Sequence, residues 1–348
     1  MTNTCRQQQL VSVIIPTYNR AGIIGETIEN IFQQTYLNIE VIVVDDGSTD
    51  DTASVLRSFG SRIRWIAREN AGPAAARNRG LAMAKGEIIA FQDSDDAWHP
   101  TKIERQVSLL ERAGSSVPCC LCNVAFHSEN GRGMTSFDNA PITPPYEEGL
   151  WMNVAEVLTT RFILFNQASA IRRSVVEKLG GFDERLKYLE DYEFSLRLAV
   201  EGPWAFIRTP LVNYRQDSVN SLARKALDEP ILTSECDVIL RNGILQRFSE
   251  RGGDPKLRTL MESYLKRAQR VLRHTKMKKS SSRGAQFLGN CYLQVERFRS
   301  AIDRRLSSYP QMKVRPITDS PAAEILASKF GERTALALRH LDDAEREA

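Results

Sequence analysis

Over the first third of the chain, short apolar runs alternate with stretches of helical spacing, and the apolar runs end in polar loops. Residues 10–15 are apolar and closed by Pro16, which predicts a first strand. Residues 22–34 carry Ile24, Ile28, Ile31 and Phe32 at helical spacing. A second apolar run, 38–44, stops at Asp45, Asp46, Gly47 and Ser48. Ser48 stands three residues before Asp51, a pair like a capping box, so a helix is expected over 53–59. A short strand over 63–67, a turn at 70–73 and an Ala-rich helix over 74–85 follow, with Gly86 expected as its C-cap. Residues 87–91 predict another buried strand, and 100–112 a helix.

This alternation predicts an α/β protein with a mostly parallel sheet and helices on both faces. Ligands of such sheets collect at the carboxyl ends of the strands. Three polar loops (16–20, 45–48 and 93–96) would share that edge. Beyond 117 the alternation weakens. Strands are expected over 117–126 and 162–171, a loop, hairpin or flap over 127–149, and helices over 150–158 and 173–179, the latter stopped by Gly180 and Gly181. Residues 189–200 form an amphipathic helix with Leu189, Tyr192, Leu196 and Ala199 on one face and Glu193 and Arg197 as an i,i+4 pair on the other. Two closing strands are expected over 204–208 and 211–215. From about 222 helical patterns dominate (231–248, 256–274, 284–306, 321–330 and 332–345), which places a domain boundary there: 1–222, then a helical region over 223–348.

Composition narrows the picture modestly. With 348 residues, 42% hydrophobic and 26% charged, the chain is long enough for a real core and roughly two domains. A net charge of +4 without one concentrated basic face argues against a nucleic-acid binder. Six cysteines are too few for a disulfide scaffold; Cys119, Cys120 and Cys122 lie in an apolar run and read as buried thiols. The N-terminus is polar and lacks a signal-peptide core, and no stretch approaches the about 20 apolar residues of a membrane span. The expectation is a cytoplasmic protein.

Candidate chemistry gathers at the tip of the strand that ends in Phe91. Gln92 is followed by Asp93, Ser94, Asp95 and Asp96. In an extended segment residues two apart share a side, so Asp93 and Asp95 aim together while Ser94 turns away. Crowded carboxylates repel, and a hard divalent ion completed by phosphate oxygens would relieve them. Read alone, the tip is better explained as a solvated acidic turn with Asp96 opening the next helix, because D-x-D is a weak pattern; the rest of the chain decides.

Several stretches in order resemble glycosyltransferase family 2: SVIIPTYNR at 12–20, VIVVDDGSTD at 41–50, ARNRG at 76–80, FQDSDD at 91–96, GGFDE at 180–184 and ED at 190–191. The resemblance covers about 10–220. It implies a GT-A fold (Rossmann-like, with flanking helices) and an inverting enzyme that uses a nucleotide-sugar, most simply a UDP-sugar, and a divalent metal, Mn²⁺ or Mg²⁺. It implies a donor site from Pro16, Thr17, Tyr18, Asp45, Asp46, Arg77, Asp93, Ser94 and Asp96. Thr17 and Tyr18 would contact the base, and one of Asp45 or Asp46 would accept from its ring N–H. Arg77 would pair with a phosphate or a cleft Asp, and Asn78 would cap or brace a loop. Asp95 is the expected direct metal ligand, with Asp93 on the ribose or the metal and Asp96 on the donor sugar. Asp191 is the expected general base: an acceptor hydroxyl must lose its proton as it attacks. The positive end of its helix would favour the ionised form, and Glu190 would support it.

The chain departs from the family pattern at 213–217, where NYRQD puts Asp217 in the place of a metal-binding His. Asp217 is a hard oxygen donor and remains a candidate metal ligand. An inert nucleotide- or glycan-binding relative is the competing reading, and Asp217 is the feature in its favour. A nucleotidyltransferase is disfavoured, because 16–20 is not a glycine- and lysine-rich loop. Acceptors implied are a glycan, a lipid-linked glycan or a small molecule. Basic helical stretches after 255 (Lys256, Arg258, Lys266, Arg267, Arg270, Arg273, Lys276, Lys278, Lys279, Arg283) read first as a solvated helix face and a loop; the sharper reading is peripheral contact with the inner face of a membrane, which interleaved acids such as Glu262 weaken.

Overall fold

The alternation read from the pattern is present in the computed structural model, which describes residues 8–127, 133–140, 142–215, 222–251, 254–280, 286 and 310–317. The elements run β1 (Val11–Thr17), α1 (Ile24–Phe32), β2 (Ile39–Asp45), α2 (Thr52–Ser58), β3 (Arg64–Ala67), α3 (Pro73–Met83), β4 (Ile88–Phe91), β5 (Ala97–Trp98) and α4 (Lys102–Ala113). Then come β6 (Cys119–His127), α5 (Ser136–Asn139), β7 (Glu148–Trp151), α6 (Val154–Thr160), β8 (Ser169–Arg172), α7 (Arg173–Leu179), α8 (Glu190–Ala199) and β9 (Trp204–Arg215). The chain closes with α9 (Leu222–Asp228), α10 (Pro230–Arg251), α11 (Pro255–Lys278) and β10 (Val314–Arg315).

One mixed sheet takes the order β10-β7-β9-β6-β8-β4-β1-β2-β3, with β5 paired to β9. The block β4-β1-β2-β3 is parallel throughout. β8 enters antiparallel between β4 and β6, and β9 runs parallel to β6. Val11, Val13, Ile14 and Ile15 are all buried, as in a strand covered on both faces. α1 turns Ile24, Ile28 and Ile31 inward. α3 lies close on β1: a Cβ at Gly80 would come within 2.4 Å of Ile14 Cγ2. The thiols of Cys119, Cys120 and Cys122 are buried, as read.

Several expectations are corrected. Gly86 is not the C-cap of α3; Ala84 ends that helix in an extended conformation. Gly86 is required because a Cβ there would meet the backbone entering β1, 2.5 Å from Leu10 O and 2.6 Å from Ser12 N. Ser48 and Asp51 form no capping box: Ser48 Oγ accepts from Asn19 N, and Asp50 Oδ1 accepts from Thr52 N at 3.0 Å. Leu150 and Trp151 belong to β7, because their alternation serves a sheet edge against β9; α6 starts only at Val154. Residues 162–168 are an irregular segment with a 3-10 turn (Asn166–Ala168), and the strand begins at Ser169. The two closing strands are one, β9, which stays in the ladder past Pro210 through register shifts opposite Cys122, Asn123 and Val124.

Among the C-terminal elements, α10 packs on α8 and α11 on α6. Cys236, Leu240, Ile244 and Met261 continue the apolar core begun by the sheet. Val314 and Arg315 add an antiparallel edge to β7. The Asn153 amide fixes that edge: Nδ2 donates to Gln311 O and Oδ1 accepts from Lys313 N, both at 2.7 Å. The helices expected over 284–306, 321–330 and 332–345 lie outside the described residues, apart from Gln286. Among the described residues no helix is long and apolar enough to cross a membrane.

Candidate active site

The sheet register brings the polar loops together. Thr17 pairs with Asp45 across β1 and β2, and Ile14 with Phe91 across β1 and β4. Pro16 is still in the ladder, opposite Val44. Beyond it the loop is built stiff. Asn19 takes a left-handed φ of 52°, and its amide donates to Ser48 Oγ at 2.8 Å while its Oδ1 accepts from Thr49 N at 2.7 Å. Arg20 N donates to Thr52 Oγ1 at 2.9 Å, and Ala21 N to Asp50 Oδ2 at 3.0 Å. Tyr18 is left 43% exposed at the same edge, and the buried Thr17 Oγ1 has no partner among the described residues. Asp45 Oδ1 accepts from Ser48 N at 3.0 Å. Asp46 accepts from Ala71 N and Gly72 N, the latter at 2.7 Å, and lies 3.4 Å from Arg68 Nε. Both carboxylates thus stand at the end of β2 in backbone cradles.

The acidic tip of β4 is tied to the rest of the cleft by Arg77. From the buried face of α3 its guanidinium donates to Asp93 Oδ1 at 3.0 Å and to Glu190 Oε1 at 2.8 Å. With the Asn166 amide turned so that its oxygen faces Arg77, that oxygen accepts from Nη2 at 3.2 Å and from Nε at 3.3 Å. Burial works against the charge, but Asp93, Glu190 and Asp191 outweigh it and hold the Arg77 pKa above its ordinary value. Asp95 pairs with Arg20 Nη2 at 3.4 Å. Ser94 is buried, and its carbonyl accepts from Thr27 Oγ1 at 2.9 Å. Asp96 is buried deepest. Its Oδ1 accepts from Arg215 N at 3.1 Å, and its Oδ2 has no partner among the described residues. Burial, with Asp93 and Asp95 beside it, pushes its carboxyl up to about 9.

Glu190 and Asp191 open α8 after Leu189, a non-glycine residue at φ 65°. Left-handed backbone costs such a residue about 1–2 kcal/mol, and the surrounding structure must over-determine it. Here Glu193 N donates to Leu189 O at 2.9 Å, and Glu190 is clamped by Arg77. Asp191 is half-buried and Oδ1 accepts from the amide of Tyr192 at 2.7 Å. Its neighbour Glu190 is bonded to Arg77, which also holds Asp93, and its carboxyl feels the charges of both Arg77 and Asp93. Burial first, then Glu190, pushes its pKa up to about 7 against the pull of Arg77. The helix end therefore does not lower it, contrary to expectation: desolvation outweighs the dipole.

Some contributors were not singled out from sequence. Asn166 lies in the irregular segment before β8, and no local pattern marks it. Tyr214 precedes Arg215, whose amide donates to Asp96; burial, then the charges of Asp96, Asp93, Asp95 and Asp191, push its hydroxyl up to about 12. The one sequence signal for it was its place in the NYRQD stretch. Asn78 braces a loop as read, donating to Phe182 O at 2.9 Å and accepting from Phe182 N at 2.8 Å. Asp217 lies outside the described residues.

Among the described residues no group of three or more His, Cys, Asp and Glu closes into a metal cage. A Mg²⁺ or Mn²⁺ ion held by one or two carboxylates and completed by phosphates needs none. The tip fits that case: its donors are all oxygen, Asp96 Oδ2 is orphaned, and Asp93 and Asp95 help keep a proton on Asp96 at neutral pH.

Residues 12–180 match the family model described as Glycosyl transferase family 2. An uncharacterized glycosyltransferase of Rickettsia prowazekii is 33% identical over 184 residues, 53% of this chain and 57% of the relative. The Escherichia coli UDP-Glc:alpha-D-GlcNAc-diphosphoundecaprenol beta-1,3-glucosyltransferase WfaP is 48% identical over 105 residues, 30% of this chain and 42% of that protein. The chain thus spans little more than half the length of the first of these curated relatives and less of the second. The crystal structure of S. aureus TarS 1-349 in complex with UDP-GlcNAc superposes with a TM-score of 0.60 at 19% identity, covering 80% of this chain and 78% of that one. That likeness establishes the GT-A fold.

Proposed function

We propose, from the premise that this chain belongs through residues 12–180 to glycosyl transferase family 2, that it moves a sugar from a nucleoside diphosphate donor to an acceptor hydroxyl. The observation that carries this is the Arg77 bridge. One buried guanidinium joins Asp93, at the tip suited to a diphosphate, to Glu190, beside Asp191. Acids from opposite ends of the fold thereby meet in one cleft.

Tyr18 offers the exposed ring a base can stack on, Thr17 its unpartnered hydroxyl, and Asp45 or Asp46 an acceptor for a ring N–H. UDP is the favoured nucleotide, because WfaP is named for UDP-Glc and TarS is seen with UDP-GlcNAc. Asp95, with Asp93 beside it, would hold a divalent cation, and Asp217 remains a candidate third ligand. The cation supplies stabilisation of the charge that develops on the leaving diphosphate. Asp93 would also reach the ribose, and Ser94 and Asp96 would lie beneath the donor sugar. Asp191 takes the proton of the attacking hydroxyl. A single attack opposite the leaving group inverts the anomeric centre.

By analogy with WfaP the acceptor is a glycan on a lipid diphosphate. The C-terminal region, 223–348, serves as a helical extension to the catalytic domain, 1–222, and presents a surface to the membrane. From 263 to 280 it has Lys or Arg at 266, 267, 270, 273, 276, 278 and 279 and no Asp or Glu. Lys266, Arg270, Arg273, Lys276, Lys278 and Lys279 are exposed. Such a run of cations suits an anionic lipid surface at the cytoplasmic face, with Lys276 also paired to Glu235 at 2.7 Å. Co-sedimentation with phosphatidylglycerol vesicles should fall with salt and with charge reversal at Lys276, Lys278 and Lys279; unchanged binding rejects this part.

The function itself is tested by incubating the full chain with UDP-, GDP- and dTDP-sugars, with and without Mn²⁺. Release of UDP that depends on Mn²⁺, and is lost in D95N, is the expected result. Nucleotide-induced thermal shifts with no turnover, with any sugar or lipid-linked acceptor, would mean an inert binder instead.

A further inference from the structure

The acidic tip has two arginine partners of unlike construction. Arg77 is buried and held at once by Asp93, Glu190 and Asn166, so it is a fixed part of the cleft. Arg20 comes from the loop after β1 and is held loosely. Its ion pair to Asp95 is long, at 3.4 Å, and the two side chains are 18% and 21% exposed. Its Nε has no partner among the described residues although it is shielded from water. The backbone beneath it is the reverse. The amides of Asn19, Arg20 and Ala21 are bonded to Ser48, Thr52 and Asp50 in turn. A rigid loop thus carries a guanidinium with unspent donors, two residues after Tyr18 and in contact with the carboxylate best placed for a cation. A planar fork of this kind suits two phosphate oxygens as well as a carboxylate.

We propose that Arg20 is an exchangeable countercharge: it neutralises Asp95 while the cleft is empty and transfers to the donor diphosphate when a divalent cation takes that carboxylate. This rests on the reading of the tip as the cation and diphosphate site. It adds a coupling that the acids alone do not supply. In the empty cleft Arg20 competes with the cation. Once the donor is present, the cation releases Arg20 to the phosphates, and each ligand then favours the other, since such linkage is reciprocal.

The consequence has two signs, which a mere loop brace lacks. Mn²⁺ binding is followed on the full chain by electron paramagnetic resonance, first alone, and UDP binding by calorimetry at saturating Mn²⁺. R20Q should bind Mn²⁺ alone more tightly, by about 3–10-fold, and UDP with Mn²⁺ more weakly, by about 10-fold. R20K keeps the charge without the fork, so its Mn²⁺ affinity should stay within about 2-fold of the parent while UDP weakens. Thermal melting checks that R20Q folds, and R20K alone carries the test if it does not. Weakening of both ligands in R20Q, or unchanged affinity for both, overturns the exchange. A parent protein that binds no Mn²⁺ even with UDP overturns the cation reading instead, so the two failures are distinct.

Discussion

Asp191 combines two opposing influences: a helix start that favours a carboxylate and a buried setting beside Glu190 that disfavours one. The second wins, and the pKa stands at about 7. As a base, Asp191 must be ionised, so kcat/KM should climb with pH through about 7 and level off above it. D191N should lower kcat by about 10²–10⁴-fold and abolish that acid limb. E190Q removes a like charge, leaves Arg77 in place and should move the limb to lower pH; R77Q should move it upward. Profiles at one saturating Mn²⁺ concentration compare these variants, because a bound cation draws the limb downward too. A limb in D191N identical to the parent's would assign the base elsewhere.

Helix α8 shows what it takes to hold such a residue in place. Glu193 and Arg197 pair at 2.7 Å with side chains only 4% and 3% exposed, and Arg197 also donates to Leu179 O and Gly181 O. The pair fastens α8 to the turn that ends α7. E193Q leaves a buried guanidinium without its counter-ion and should cost about 3–5 kcal/mol in urea unfolding. Replacing both partners by Leu and Met should cost much less, and equal losses would contradict this account. The i,i+4 spacing of the pair was legible in the sequence, as were the strand ends, the parallel block and the helix itself, because these are local periodicities. That the pair is buried was not legible, since the carbonyls that receive Arg197, those of Leu179 and Gly181, are brought to it by the turn that ends α7. The candidate site divides in the same way. Asp93, Asp95 and Asp191 stand in short motifs, whereas the partners of Arg77 are 16, 113 and 89 residues away. Gly86 and β9 were misread for a related reason: close approach to Leu10, and a ladder that absorbs Pro210 through register shifts, depend on a neighbouring strand.

At the scale of the whole molecule, the cleft crowds acids at the strand ends near the middle of the sheet, and this sets how stability responds to pH. In the folded protein burial and neighbouring acids push Asp96 up to about 9 and Asp191 up to about 7, against about 3.9 for an unfolded Asp. The folded state therefore binds more protons than the unfolded chain between those limits. The contribution of these two groups is fully present below pH about 4, shrinks as pH rises, and is gone above about 9. Other acids pull the opposite way near pH 4: the hydrogen bond from Arg62 lowers Glu29, and the one from Arg185 lowers Asp183. The alkaline half of the window is thus where the cleft dominates. In chelator, Tm should fall from about pH 6 to about pH 9, and D96N, which cannot ionise, should flatten that slope and melt higher than the parent at the alkaline end. Mn²⁺ with UDP should restore the parent most at high pH, because the cation replaces protons that the tip has lost. A slope that D96N leaves unchanged would mean that Asp96 does not govern the alkaline loss, and that the acids of the tip are better neutralised by Arg20, Arg77 and Arg215 than their crowding suggests.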